Sequence, residues 1–193
     1  MQQVLSERIL PRSRSTWLAE ATLIVFGALF IAALAQVRIP LQPVPITGQT
    51  LAVLLVGMAL GSRRGPLAVL AYLGMAAAGL PFFTGGQSGL AYMAGATGGY
   101  LVGFVAAAYV VGWLAERGWD RTLGKTLIAM VIGNAVIYLF GISWLATIVG
   151  GFSGPSGSLA LGLYPFLLGD ALKALAAALL LPAAWMMLNE QPK

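Results

Sequence analysis

Asp170 and Lys173 lie three residues apart within a stretch, Tyr164 to Trp185, that is otherwise almost continuously apolar. At about 100° per residue, that spacing stacks both side chains on one face of a helix. If the stretch crosses a bilayer, each charge costs roughly 2.5–3.5 kcal/mol near its centre. The pair is therefore either an internally neutralised structural lock or the polar end of a site for a polar molecule. Ionisable residues inside a membrane point to function by default. No other part of the chain resembles this pair.

The elements that position the pair must be membrane helices. The chain has 193 residues, 59% hydrophobic and 9% charged, where a soluble domain carries about 25% charged residues. A helix needs about 20 apolar residues to cross the hydrocarbon, so six spans use roughly 120 residues and leave only short loops. The expectation is a single all-α membrane domain over residues 1–193, with spans near 17–36, 49–60, 66–80, 97–115, 126–149 and 164–187. Pro40, Pro43 and Pro45 break the chain after the first span. Gly61-Ser62-Arg63-Arg64-Gly65 stops the second, and Pro66 suits the first turn of the third. A glycine-rich loop precedes the fourth span, a polar loop follows it, and a Gly/Ser loop precedes the sixth. No cleavable signal peptide is expected, because the first sixteen residues are polar and the following span is too long for an h-region.

Basic residues set the orientation. Arg8, Arg12 and Arg14 precede span one, Arg63 and Arg64 follow span two, and Arg117, Arg121 and Lys125 follow span four. Lys193 ends the chain, and six spans put all of these on one side, with only Arg38 opposite. Both termini are then expected in the cytoplasm of a multi-pass protein of the bacterial cytoplasmic membrane. Asp170 falls about 9 Å below Tyr164, nearer the outer end of its span. A pocket open to the outside and floored by the pair follows.

Several chemistries drop out. With no Cys and no His, thiol catalysis, His-ligated zinc, haem and Ser-His-Asp hydrolysis are excluded. Gly118-Trp119-Asp120-Arg121-Thr122-Leu123-Gly124-Lys125-Thr126 is not a P-loop, since its glycines are too widely spaced and it follows a helix. The expectation is no enzyme, no cofactor and no metal. Gly95, Gly99 and Gly103, continued by Ala107, form a strip for close helix packing within the bundle. Ala28 and Ala32 form a second strip, which either packs internally or faces a membrane partner. Gln49 and Asn134 are amides inside apolar segments, satisfied by neighbouring helices or by a ligand. Trp17, Trp113 and Trp119 suit the membrane interfaces.

Four segments carry a resemblance: Val44-Pro45-Ile46-Thr47-Gly48-Gln49-Thr50-Leu51, Leu80-Pro81-Phe82-Phe83-Thr84-Gly85-Gly86, Thr97-Gly98-Gly99-Tyr100-Leu101-Val102-Gly103-Phe104 and Gly169-Asp170-Ala171-Leu172-Lys173. Together they resemble the BioY family, the biotin-binding S components of energy-coupling factor (ECF) transporters, over roughly residues 25 to 185. Ala96 departs from the family, in which a Pro is expected before Thr97. The resemblance implies a six-helix S-component fold that holds biotin near the outer face and hydrolyses nothing. It implies a T subunit and two ATPase subunits as partners, with Ala28 and Ala32 on the face that docks to the T subunit. Asp170 and Lys173 match the family pattern and would meet the ureido or carboxylate groups of biotin. Gln49, Phe83, Thr84, Gly85, Tyr92 and Tyr100 fall in the matching loops, and Asn134 is added on its polarity alone. Alternative readings are an S component for another vitamin, such as thiamine or riboflavin, a small membrane enzyme acting on lipid-linked substrates, and a purely structural membrane subunit.

Overall fold

Why the chain turns where it does is plain from its helix ends. In the computed structural model, which describes residues 3–9 and 16–189, a short helix α1 (Leu5–Ile9) precedes α2 (Trp17–Gln36). Arg12, Arg14 and Lys193, part of the expected basic side, lie outside the described residues. Thr16 caps α2 by accepting the Ala19 N–H at 3.4 Å. After α2 the three prolines occupy the loop of a small hairpin. Its strands β1 (Arg38–Ile39) and β2 (Ile46–Thr47) pair antiparallel, with Arg38 opposite Thr47.

Helix α3 (Gln49–Ala77) reverses direction at Gly61, whose φ of 86° and ψ of 178° are open to glycine alone. Gln49 and Tyr72 would stand about 34 Å apart on a straight helix. Here the Gln49 Nε2 donates to the Tyr72 hydroxyl at 2.5 Å, so the two arms lie side by side. A tight turn, Thr84–Gly86, and α4 (Leu90–Met93) lead to α5 (Gly98–Ala115) and α6 (Leu123–Val149). The chain ends with α7 (Ser158–Gly162), a turn at Tyr164–Phe166 and α8 (Leu167–Asn189).

Small residues let these helices meet. A Cβ on Gly57 of α3 would stand 2.7 Å from the Ala108 carbonyl oxygen of α5, and one on Gly99 would stand 2.2 Å from the Trp144 Cβ of α6. The strip of Gly99, Gly103 and Ala107 thus packs inside the bundle. The Ala28 and Ala32 strip does the same, which corrects its expected place on a docking face. Both alanines are buried, because α2 closes on α3 so tightly that a Cβ on Gly27 would come within 3.0 Å of the Ala68 Cβ.

Among the described residues, five helical stretches are long and apolar enough to cross a membrane: Trp17–Gln36, Gln49–Ala77, Gly98–Ala115, Leu123–Val149 and Ser158–Leu188. Large apolar side chains such as Phe26, Val102, Leu139 and Leu168 point outward from them, as a hydrocarbon surrounding requires. This is an all-helical membrane protein. The end that bears most of the charge is tied by polar contacts. Arg64 forms an ion pair with Glu20, Glu116 accepts from the Ser62 N–H and hydroxyl, and Trp185 donates to Asp120 at 2.6 Å. Burial pushes the Asp120 carboxyl above the usual carboxylate range, and the Trp185 bond opposes that rise.

Candidate functional site

The end of the bundle away from these charges holds the intramembrane pair. Asp170, in the first turn of α8, and Lys173, one turn further on, form an ion pair at 3.1 Å. Neither charge relies on the other alone. Lys173 Nζ also donates to the Thr50 hydroxyl of α3 at 2.9 Å, and the Tyr138 hydroxyl of α6 donates to the other Asp170 oxygen. The pair therefore bridges three helices. A buried ion pair persists only when further hydrogen bonds offset its desolvation, and these two supply them.

Lys173 looks into a cavity at this end of the bundle. Its walls come from the hairpin (Val44, Pro45, Thr47), the start of α3 (Gln49, Thr50), the turn at Thr84, and Tyr92, Thr97, Tyr100 and Phe104. Ile137, Tyr138 and Phe166 close the remaining side. About 40 Å³ of this cavity is free, room for water but little more.

The walls are held by their own bonds. Gln49 Oε1 accepts from Thr84 at 3.1 Å and from Thr47 at 3.2 Å, while its amide donates to Tyr72, so one buried side chain joins hairpin, turn and both arms of α3. Gln36 fastens the same turn from outside. Its Nε2 donates to the Phe82 and Phe83 carbonyls, and its Oε1 accepts the Gly86 N–H at 3.1 Å. The Tyr100 hydroxyl donates to the Gly162 carbonyl at 2.8 Å. Its ring lies against Gly141, where a Cβ would come within 2.4 Å.

Of the residues expected from sequence, Gln49, Thr84, Tyr92, Tyr100 and Lys173 line the cavity together. Phe83 stands behind them, fully buried, stacked on Tyr92 at 4.7 Å and edge-on to Tyr72 at 5.8 Å. Gly85 lies beneath the Arg38 guanidinium, which a Cβ there would meet at 2.2 Å. Asp170 sits beside the cavity and borders a second groove between α6 and α8. Asn134 lines that lateral groove and not the cavity, a correction to its expected role. The reason is helical phase. Ile137, three residues further along α6, takes the inward position, and Asn134 falls on the edge facing α8.

Sequence reasoning passed over Tyr138, Thr50 and Thr47 as site residues. Thr47 and Thr50 sit in the motif that contains Gln49, which marked them. Tyr138 follows Asn134 by four residues and so shares its side of α6.

Comparison with known proteins bears on the family of the chain. The BioY family pattern matches residues 6–190. The chain is 42% identical to the biotin transporter BioY of Rhizobium etli over 166 residues, which cover 81% of this chain and 87% of that protein. It is 37% identical to the biotin transporter BioY2 of Lactococcus lactis, over 84% of this chain and 87% of the relative. A crystal structure of the S-component for biotin from an ECF-type ABC transporter superposes with a TM-score of 0.72 at 25% identity, covering 91% of this chain and 93% of that one. Proteins of this kind are transporters and not enzymes. A matched pattern running almost end to end, relatives well above 30% identity and a shared helical fold together place this chain in the BioY family.

Proposed function

We propose that this chain captures biotin as the S component of an ECF-type transporter. The observation that carries the reading is the Asp170–Lys173 pair, braced by Tyr138 and Thr50 beside a cavity of aromatic rings and hydroxyls, in a member of the BioY family. Biotin offers a ureido ring with two N–H donors and one carbonyl acceptor, an apolar thioether ring and a carboxylate tail. Asp170 suits the donors, Lys173 the acceptor, and Tyr92, Tyr100 and Phe104 the rings. Gln49 and Thr84 hold the wall, with Phe83 and Gly85 behind it.

The cavity's free volume is far below the roughly 300–1,000 Å³ of filled ligand pockets. Its walls therefore part when biotin enters, and the hairpin and the Thr84–Gly86 turn are the parts joined to the bundle by few helical contacts. The chain forms a single membrane domain of six spans, with the arms 49–60 and 62–77 of α3 counted separately. Both termini lie in the cytoplasm, and the membrane is the bacterial cytoplasmic membrane. A T subunit and ATPase subunits supply the energy for release.

The test is calorimetric titration of the purified, detergent-solubilised protein with biotin, beside Asp170→Asn and Lys173→Ala. Saturable binding by the wild type, weakened at least a hundredfold in both folded variants, is expected. A folded wild type that ignores biotin but binds thiamine or riboflavin overturns the proposal.

A further inference from the structure

Arg38 is, among the described residues, the one uncompensated charge in the half of the molecule that holds the cavity. Among the described residues, the other charges of that half are Asp170 and Lys173, which cancel each other. The remaining carboxylates among the described residues, Glu7, Glu20, Glu116 and Asp120, belong to the opposite end, where Glu20 pairs with Arg64 and Asp120 with Trp185. No carboxylate among the described residues lies within ion-pair distance of Arg38. Its side chain is nonetheless placed. Arg38 faces Thr47 across the hairpin, and Thr47 lines the cavity. Opposed residues of such a ladder stand about 5 Å apart. From there the guanidinium reaches over the Thr84–Gly86 turn and rests where a Gly85 side chain would be. Thr84, next to it, is also a wall of the cavity.

We propose that Arg38 is a specificity-determining residue that receives the carboxylate of the ligand at the mouth of the cavity, while the Asp170–Lys173 pair holds the ureido end. This rests on the biotin reading and deepens it. The charges fit: a pocket half with one surplus positive charge suits a ligand with one negative charge. The chemistry fits as well, because a guanidinium presents parallel N–H donors in the spacing of a carboxylate's two oxygens. Arg38 is exposed, so its contribution will be screened by salt. Replacing it leaves no buried group unsatisfied.

The experiment is a thermodynamic cycle in which biotin and biotin methyl ester bind the full chain with Arg38 or with Arg38→Gln. Removing the ligand's charge is expected to weaken binding to the wild type about tenfold. Arg38→Gln should weaken biotin by a similar factor, leave the ester nearly unchanged, and abolish the difference between the two ligands. Arg38→Lys should retain part of it. A variant that loses nothing, or loses both ligands equally, overturns the assignment. So does an ester penalty that persists without Arg38, which would place the carboxylate elsewhere, at Lys173 for example. In those outcomes the wild type still binds biotin and the functional reading stands. A wild type that binds neither ligand overturns both.

Discussion

The two oxygens of Asp170 are each aimed, and each by a different helix. One faces Lys173 on its own helix, and the other takes the Tyr138 hydroxyl from α6. A net hydrogen bond to a charged group contributes about 1.5–3 kcal/mol. Tyr138→Phe keeps the ring that lines the cavity and removes only that donor. It should lower biotin affinity by about ten- to a hundredfold with little change in thermal stability, read by calorimetry and by a melting curve in detergent. An unchanged affinity would mean that Lys173 alone orients the carboxylate. Gln49 is the opposite case, because its bonds to Thr84, Thr47 and Tyr72 are structural. Its truncation would strand buried partners and act first on the fold.

At the scale of elements, Gly57 sets how closely α3 and α5 cross. A Cβ there meets the Ala108 carbonyl oxygen at 2.7 Å and its Cα at 2.9 Å, backbone atoms that cannot rotate away. Gly74, on the other arm of the same helix, has nothing within 4 Å of its added Cβ. Gly57→Leu should therefore cost about 1–3 kcal/mol or more as overpacking and lower the melting temperature, while Gly74→Ala should leave it unchanged or raise it. Equal effects at the two sites would refute the tight crossing. Much of this layout was legible beforehand, for local reasons. The prolines end α2, and Gly61 with Pro66 marks the reversal of α3. What stayed hidden depends on how one helix is rotated against another. Spacing showed that Ala28 and Ala32 share a face but not that α3 covers it, and that Asn134 is polar but not that Ile137 faces inward. The bond from Tyr138 to Asp170 has the same origin, since no local pattern in α6 specifies its phase relative to α8.

The whole molecule is polarised. Arg8, Arg63, Arg64, Arg117, Arg121 and Lys125 gather at one end of the bundle, and the hairpin, the Thr84–Gly86 turn and the cavity lie at the other, with Arg38. A membrane that retains basic loops on its inner side would orient such a chain with the cavity outward, as the proposed capture from outside requires. The natural absence of cysteine makes this directly measurable in the full chain. Gln87 and Thr122 are both exposed, one beside the cavity turn and the other at the start of α6. Gln87→Cys in intact cells should react with a membrane-impermeant maleimide. Thr122→Cys should react only after the cells are opened, and neither change alters the charge that sets the orientation. Saturating biotin adds a second readout, because a wall that moves to admit the ligand should change the labelling rate at Gln87→Cys and leave Thr122→Cys unaffected. The reverse pattern in intact cells would turn the cavity inward, and the chain would then meet biotin only after it had crossed the membrane.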